Sequence, residues 1–234
     1  MPNPVEALVH DELTPCPYLD GRKARLPLRH PIGGLTGEQL DQRLACGDRR
    51  TGSFLYRTNC PSCSACIPIR VPIQDFKPSR SQRRVLSRGD RIIKTHANEP
   101  VIDEHRIALY NKHSTVRGLN TQLESISIEH YRAFLLSSCC ETVEISYTID
   151  DVLVAVAILD KGSKAGSAVY CYYDTDYSRL SLGTYSILSQ LRLARRWEMD
   201  YLYLGLYIAE SSHMNYKTLY QPYELLVDGV WSKR

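Results

Sequence analysis

Three consecutive extended segments limit the fold of this chain more than any other feature of its sequence. They read TVEISYTID, VLVAVAILDK and GSAVYCYYD, at residues 142–150, 152–161 and 166–174. β-Branched and aromatic residues dominate these segments, and short polar or glycine-containing breaks separate them, which is typical of an antiparallel meander. Apolar residues at helical spacing follow at residues 181–200, and a buried strand, YLYLGLYI, follows at residues 201–208. We therefore predict that strands and helices are mixed in this half of the chain.

The order of these elements resembles the core of the GNAT acyltransferase fold. In that fold, the turn before the central helix presents backbone N–H groups to an anion or a carbonyl oxygen. Here the corresponding turn reads LSLGTYS at residues 180–186, with Gly183 at its centre. The resemblance implies an α+β protein with a GNAT-like acyltransferase domain at residues 101–234. In this prediction, residues 1–100 form a separate N-terminal domain that is rich in cysteine and basic residues.

Three cysteines, Cys60, Cys63 and Cys66, are spaced as CxxCxxC. Thiolates are preferred ligands of zinc and of iron–sulfur clusters, and two-residue gaps let successive sulfur atoms reach one centre. Cys16 and Cys46 are the candidates for a fourth ligand. The alternative is that these are small packed residues that hold no ion.

The eight cysteines of the chain are expected to be reduced, because nothing in the sequence indicates export. The N-terminus lacks the basic and apolar regions of a signal peptide. No run of about 18 apolar residues predicts a membrane span. We therefore expect a cytoplasmic protein without a membrane partner, in which cysteines serve as thiols or metal ligands.

Positive charge is concentrated between residues 70 and 94. This segment holds eight Lys and Arg residues against two Asp residues, a local net charge of +6 in a chain whose net charge is +3. Within it, residues 79–91 predict a helix that Ser79 or Ser81 caps. Arginines match phosphate oxygens and give salt-dependent affinity for a nucleic-acid backbone, so a solvated helix face is only one of two interpretations. The candidates for contacts with RNA are Arg80, Arg83, Arg84 and Arg88.

The segment GLYIAESSHMNYKTLYQPYELL, at residues 205–226, is dense in tyrosine. Its composition alone favours a packed loop and strand over a tyrosine-lined pocket. Three further segments precede it in a fixed order: CPYLDGRKAR at 16–25, FLYRTNCPSCSACIPIRVPIQDFKPSRSQRRV at 54–85 and SLGTYSIL at 181–188. Together these segments resemble the arginyl-tRNA–protein transferase family of the N-end rule pathway, and in particular its bacterial aspartate/glutamate leucyltransferase branch.

This resemblance implies a reaction and two partners. An amino acid, with leucine favoured and arginine as the alternative, passes from aminoacyl-tRNA to the N-terminal amine of a protein that begins with Asp or Glu. The product carries a degradation signal. The ester of the donor is already activated, so the chemistry requires no cofactor, and the protein positions the substrates and stabilises the oxyanion.

The matched segments carry these candidate site residues, except Asp174, which ends the third extended segment. An acidic acceptor side chain requires a buried cation, and Lys217 is the candidate for that role. The other candidate substrate-binding residues are Tyr207, Tyr216, Tyr220 and Gly183. The candidate proton acceptors are Glu210, Asp174 and Glu224. The candidate metal ligands are Cys16, Cys60, Cys63 and Cys66, with an iron–sulfur cluster, zinc or no metal as open alternatives.

Two other classes of function fit parts of the sequence. A non-catalytic RNA-binding metal module would explain the cysteines and arginines, but it would not need the tyrosine-rich segment at residues 205–226. An acetyltransferase that uses acetyl-CoA would share the GNAT-like core. The turn at Gly183 is poorer in glycine than an acetyl-CoA pyrophosphate loop, which argues against this second class.

Overall fold

An eight-stranded sheet forms the centre of the molecule, in a computed structural model that describes residues 4–118 and 125–234. In chain order the strands are β1 (Glu6–His10), β2 (Leu13–Pro15), β3 (Lys23–Arg25), β4 (Leu28–Pro31), β5 (Arg49–Thr51), β6 (Phe54–Tyr56), β7 (Ile67–Pro72), β8 (Lys94–Asn98), β9 (Thr142–Ile149), β10 (Val152–Lys161), β11 (Ala165–Tyr173), β12 (Tyr201–Tyr207), β13 (Glu224–Val227) and β14 (Val230–Lys233). The α-helices are α1 (Gly37–Ala45), α2 (Arg80–Gly89), α3 (Glu104–Val116), α4 (Ile128–Tyr131) and α5 (Leu182–Arg196). A π-helical turn, Arg132–Leu136, follows α4, and 3-10 helices lie at Thr175–Leu180 and Asn215–Leu219.

The large sheet has the strand order β14-β13-β7-β12-β11-β10-β9-β8. Strands β9, β10 and β11 are antiparallel neighbours, which confirms the predicted meander. A second sheet has the order β1-β4-β6-β5, and β2 and β3 form a separate pair. The predicted mixture of helices and strands is therefore confirmed.

Helices cover both faces of the large sheet. Leu188 and Leu191 of α5 and Leu86 of α2 pack in one core cluster with Ala155, Ala157 and Leu159 of β10. Helices α3 and α4 pack against the opposite face, where the alternate β10 residues Val156 and Ile158 are buried. Because both faces of β10 are covered, its sequence is almost continuously apolar, without the alternation of a half-exposed strand.

The large sheet opens between β11 and β12. These two strands pair in parallel over Ala165–Ser167 and Tyr201–Tyr203. No further pairing joins them, although the structure describes both strands along their whole length. The later parts of β11 and β12 therefore form the two sides of an opening, and the N-terminus of α5 reaches it.

The N-terminal half of the chain contributes directly to the large sheet. Strand β7 lies between β13 and β12, and β8 forms the edge beside β9. Strands from both sides of residue 100 therefore share one sheet. The predicted domain boundary near that residue stays a prediction. Along the described ranges, no helix is both long and apolar enough to cross a membrane.

Helix α2 begins where the sequence predicted. Ser79 is its N-cap: the Ser79 hydroxyl accepts a hydrogen bond from the Gln82 backbone N–H at 3.3 Å, and the Gln82 side chain accepts one from the Ser79 N–H at 2.8 Å. This reciprocal pair is a capping box. The Gln82 amide also donates to the Leu219 carbonyl at 3.0 Å, which connects α2 to the 3-10 helix near the C-terminus.

Candidate active site

A cleft of about 1640 Å³ occupies the opening between β11 and β12. Its walls come from the second half of β11, the N-terminal turn of α5, one side of α2 and residues 211–221, and the N-terminal sheet closes it with β5. Gly183, Tyr216, Lys217 and Tyr220, which the sequence singled out, lie in the lining. Whether they bind substrate stays a prediction.

The charge of the cleft has one sign. Its cationic lining residues are Arg49, Arg50, Arg117 and Lys217, of which Arg50 forms a buried ion pair with Asp160 behind the lining. Among the described residues of the lining there is no Asp or Glu. A region with several cations and no carboxylate attracts anionic groups and disfavours cationic ones.

Lys217 lies in the 3-10 helix Asn215–Leu219 and is only 6% exposed. Its ammonium group donates a hydrogen bond to the Leu206 carbonyl at 2.6 Å and lies 3.5 Å from the Met214 sulfur atom. Burial, and then the positive charge of Arg49, lowers the pKa of Lys217 to about 7, against a smaller opposing effect from Cys66. A lysine with this pKa is readily neutralised, and a bound carboxylate would restore its charge.

Arg49 is a cleft residue that no sequence pattern singled out. It lies on β5, and its guanidinium group occupies the space beside Gly205 of β12. A Cβ atom added at Gly205 would lie 1.8 Å from Arg49 Nη1, so only glycine leaves room for this arrangement. The two residues are far apart in the sequence, and the segment around Arg49 contains no local signal of their contact.

The N-terminal turn of α5 faces the cleft through Ser181, Leu182, Gly183 and Thr184. Ser181 adopts a left-handed conformation with a φ of 53°, and its side chain makes no capping hydrogen bond. The first N–H groups of an α-helix have no acceptor inside the helix, so those of this turn can donate to a group bound in the cleft.

The predicted tyrosines separate into two groups. Tyr216 is 41% exposed and lines the cleft, while Tyr220 is almost completely buried at its edge and packs against Phe76. Tyr207 instead packs against the main core cluster beside Ile67 and is absent from the lining. His113 of α3, which the sequence did not single out, lines the cleft, and burial lowers its pKa.

The three predicted proton acceptors lie outside the cleft lining, and each pairs with a cation. Glu224 binds Arg70 across β13 and β7, with the carboxylate 2.7 Å from the guanidinium group. Asp174 pairs with Lys112 at 2.6 Å. Glu210 lies 3.3 Å from Arg22. The structure does not bring these carboxylates to the cleft, so the prediction that they accept the amine proton has no support from their positions.

Helix α2 separates the cleft from a basic groove. Its residues Ser79, Ser81, Gln82 and Val85 line the cleft. The groove, of about 430 Å³, is lined by Arg80, Arg83, Arg84, Ser87, Arg88 and Arg91. All four predicted RNA-contacting arginines therefore share one surface of α2.

The four predicted metal ligands are neighbours. Cys63 accepts a hydrogen bond from Arg22 at 3.3 Å, and Cys60 accepts one from the Arg25 backbone N–H at 3.4 Å. Burial, and then the proximity of the other three cysteines, raises the pKa of Cys66 to about 11. A set of soft thiol donors suits zinc or an iron–sulfur cluster. As placed in the described residues, however, no three Cys, His, Asp or Glu side chains form a group that could hold a metal ion.

Solved structures with similar folds identify the class of fold. The C-terminal domain of a putative lysylphosphatidylglycerol synthetase from Agrobacterium fabrum matches with a TM-score of 0.53 and 15% identity, over 86% of this chain and 64% of that chain. FemX matches with a TM-score of 0.51 and 9% identity, over 77% of this chain and 64% of that chain. The fold is that of the GNAT-like acyltransferases.

Sequence comparison then identifies the family. Residues 14–84 match the profile of the arginine-tRNA-protein transferase N terminus, and residues 105–227 match that of its C terminus. The aspartate/glutamate leucyltransferase of Thiobacillus denitrificans is 38% identical over 92% of this chain and 90% of its own length. The enzyme of the same name from Acinetobacter baylyi is 35% identical over 93% of this chain and 80% of its own length. The chain belongs to the arginine-tRNA-protein transferase family.

Proposed function

We propose that this protein transfers leucine from leucyl-tRNA to the N-terminal amine of proteins that begin with Asp or Glu. In this reaction the amine nitrogen attacks the ester carbonyl carbon, an amide bond forms, and the ester C–O bond breaks. The amine gives up one proton, and the 3′ hydroxyl of the tRNA leaves with one. The observation that carries the proposal is the cleft itself, whose described lining has no carboxylate and has three cations, Arg49, Arg117 and Lys217, without a carboxylate partner among the described residues.

The positive charge of the cleft accounts for the choice of an acceptor that begins with an acidic residue. The side chain of an N-terminal Asp or Glu is an anion at neutral pH and needs a cation and hydrogen-bond donors when it is desolvated. Lys217 is buried, lines the cleft and has no carboxylate partner among the described residues. A lysine or arginine at the start of the acceptor would instead meet like charges, which cost several kcal/mol when they are close together.

The donor side follows from the same feature and favours leucine over arginine. The side chain of an arginyl donor would bring a permanent positive charge into a cleft that already holds the unpaired cations Arg49, Arg117 and Lys217. A buried charge without a partner is strongly disfavoured. A leucyl side chain carries no charge, and apolar cleft residues such as Val85, Ile187 and Leu204 offer it contacts.

Stabilisation of the reaction intermediate is assigned to α5. The carbonyl oxygen of the donor ester becomes negatively charged when the amine attacks. Gly183 and Thr184 lie in the lining at the N-terminus of α5, where free backbone N–H groups and the helix dipole favour negative charge. An α-amine has a pKa of about 7.7–8.0, so a substantial fraction of the acceptor is neutral and reactive at physiological pH without a strong base.

The tRNA is assigned to the basic groove of α2. The helix has arginines on the groove side and reaches the cleft with its other side. A tRNA whose phosphates contact Arg80, Arg83, Arg84 and Arg88 would therefore lie next to the site that receives its 3′ end. Because aminoacyl-tRNA is the donor, the proposed function itself implies a cytosolic location.

The cysteines are assigned to a structural metal centre in a Cys-rich N-terminal domain. Their soft donor chemistry supports this proposal, and metal binding would require the thiols to move closer together than they lie in the described structure. Zinc or an iron–sulfur cluster held by Cys16, Cys60, Cys63 and Cys66 would fix the segment that precedes β7 and would supply no step of the transfer. Elemental analysis of anaerobically purified protein should find near-stoichiometric zinc, or iron with sulfide. Active protein that contains neither would contradict this assignment.

Transfer with purified components tests the proposed function. Protein, leucyl-tRNA carrying labelled leucine and a peptide that begins with Asp should yield labelled peptide and uncharged tRNA. A non-catalytic RNA-binding module would bind the tRNA and leave the label on it. That result would contradict the proposal and favour the binding-module alternative.

A further inference from the structure

Arg49 differs from four other arginines in the N-terminal half of the chain whose side chains are largely buried. Those arginines each pair with a carboxylate: Arg29 and Arg43 with Glu6, Arg50 with Asp160, and Arg70 with Glu224. Arg49 has no such partner among the residues that the structure describes, and its Nε atom is buried without a hydrogen-bond acceptor. A desolvated guanidinium group without an anion is unfavourable unless a ligand supplies one.

The surroundings of Arg49 indicate that this ligand is negatively charged. Arg49 lines the cleft and is close enough to Lys217 for its charge to lower the lysine pKa. Its charge also opposes the rise in pKa that burial causes at Tyr18 and Tyr216, and both tyrosines line the cleft. The charged groups that face it are therefore cationic, and its neighbouring polar groups are neutral hydroxyls. This arrangement matches a carboxylate, which accepts hydrogen bonds from all of them.

We propose that Arg49 is the specificity-determining residue that binds the side-chain carboxylate of the acceptor's first residue. The inference rests on the proposed function and adds to it a residue outside the tyrosine-rich segment. The guanidinium group can donate two parallel hydrogen bonds to one carboxylate and stays charged at every physiological pH, whereas Lys217 does not. Arg49 therefore supplies the permanent part of the recognition.

Gly205 positions the guanidinium group. Its φ of 91° and its missing side chain let Arg49 lie directly against the backbone of β12. Strand β5 carries Arg49 and Arg50 at consecutive positions, and both residues line the cleft. Arg50 is held by Asp160, whereas Arg49 has no carboxylate partner among the described residues.

The test compares peptides that begin with Asp and with Asn, which differ in charge but little in size. With leucyl-tRNA as donor, wild-type protein should use the Asp peptide at least about 30-fold better in kcat/KM. Arg49→Gln should remove most of this preference and leave transfer to the Asn peptide within about threefold of wild type. Arg49→Lys keeps the charge but loses the two-pronged geometry, and it should lose about tenfold on the Asp peptide.

Two further variants separate position from charge. Gly205→Ala keeps the arginine but forces its guanidinium group away, so it should also reduce the preference for Asp, and its thermal unfolding is measured to account for backbone strain. Arg196→Gln removes an exposed arginine at the far end of α5, about 20 Å along the helix from its N-terminus, and should leave the ratio unchanged.

The outcomes distinguish this inference from the proposed function. If wild-type protein transfers leucine to no peptide, the proposed function fails. If wild type prefers Asp and Arg49→Gln keeps that preference, the assignment of Arg49 is overturned while the function stands. If Arg49→Gln does not fold, Arg49→Lys and Gly205→Ala decide, and an unchanged Asp-to-Asn ratio in both overturns the assignment.

Discussion

Lys217 and Arg49 place two cations close together in the cleft, the lysine buried and the arginine half-buried, and their chemistry differs. The pKa of Lys217 is lowered to about 7, whereas a guanidinium group remains charged. An empty cleft therefore has a variable charge at neutral pH. A bound carboxylate would favour the charged form of the lysine, so acceptor binding should be coupled to proton uptake.

This coupling predicts a pH dependence of acceptor choice. Lys217 is charged below about pH 7 and neutral above it, while an Asp side chain stays ionised throughout this range. The extra attraction is therefore present at low pH and is lost as pH rises through 7. The ratio of kcat/KM for Asp and Asn peptides should fall between pH 6 and pH 8, and the ratio cancels the titration of the shared α-amine.

Lys217→Ala provides the matched control. Its ratio should be lower than that of wild type at pH 6 and should not vary with pH, because only the permanent charge of Arg49 remains. tRNA binding should be unchanged. A ratio that is as pH-dependent in Lys217→Ala as in wild type would rule out Lys217 as the titrating group.

At the level of single residues, the sequence predicted cleft residues that lie within one segment. It missed a cleft residue whose position depends on contact between two distant segments. Gly183, Tyr216, Lys217 and Tyr220 belong to segments of characteristic sequence and all line the cleft. Arg49 depends on the approach of β5 to β12, which only the folded chain brings about. The proposed role of Glu210, Asp174 and Glu224 as proton acceptors stays a prediction, and their side chains pair with Arg22, Lys112 and Arg70 outside the cleft lining.

At the level of elements, α2 lines the basic groove with one side and the cleft with the other. Arg83 and Arg88 donate to the carbonyls of Pro78 and Arg179, which fixes them on the groove side. Arg80 and Arg84 make no protein hydrogen bond or ion pair with any residue that the structure describes, and they are exposed. They are therefore the arginines most available to phosphates.

The salt dependence of tRNA binding tests this role of α2. Replacing Arg80 and Arg84 by alanine should weaken tRNA binding and reduce the slope of log K against log salt by roughly two units, about one for each lost phosphate contact. Arg132→Ala removes an exposed arginine next to α4, on the other face of the sheet, and should leave the slope unchanged. An unchanged slope in the double variant would mean that the basic groove is a solvated surface.

The strands and helices themselves were largely predictable. The segments predicted as strands at residues 142–174 are β9, β10 and β11, and Ser79 caps α2 as its sequence indicated. Local patterns determine these elements because burial on both sheet faces and the capping box act over a few residues. The parallel placement of β12 beside β11, and the opening after it, depend on long-range packing, which no local pattern of residues indicates.

At the level of the whole molecule, a buried ion pair connects the N-terminal sheet to the large sheet. Arg50 of β5 donates to both Asp160 oxygens of β10, at 2.9 and 2.7 Å, and both side chains are almost inaccessible to solvent. Arg50 also donates to the carbonyls of Gly52 and Ser137. This pair supports β5, the strand that carries Arg49, so it connects stability to the shape of the cleft.

Asp160→Ala should destabilise the protein by about 3–5 kcal/mol, because it leaves the Arg50 charge buried without a partner. Denaturant unfolding measures this loss. The double variant Arg50→Met with Asp160→Leu should recover much of the stability, since it removes both charges together. Equal losses in the single and double variants would show that the pair acts through packing and not through its charge.

In the proposed function, one cationic cleft selects an uncharged amino acid on the donor and an acidic first residue on the acceptor. A competition with equal amounts of leucyl-tRNA and arginyl-tRNA, and of peptides that begin with Asp, Glu, Asn and Lys, tests both choices in one mixture. Leucine on the Asp and Glu peptides should exceed every other product by about 30-fold or more, and the Lys peptide should be the poorest acceptor. Comparable transfer of arginine, or transfer to the Lys peptide as efficient as to the Asp peptide, would contradict selection by the charge of the cleft.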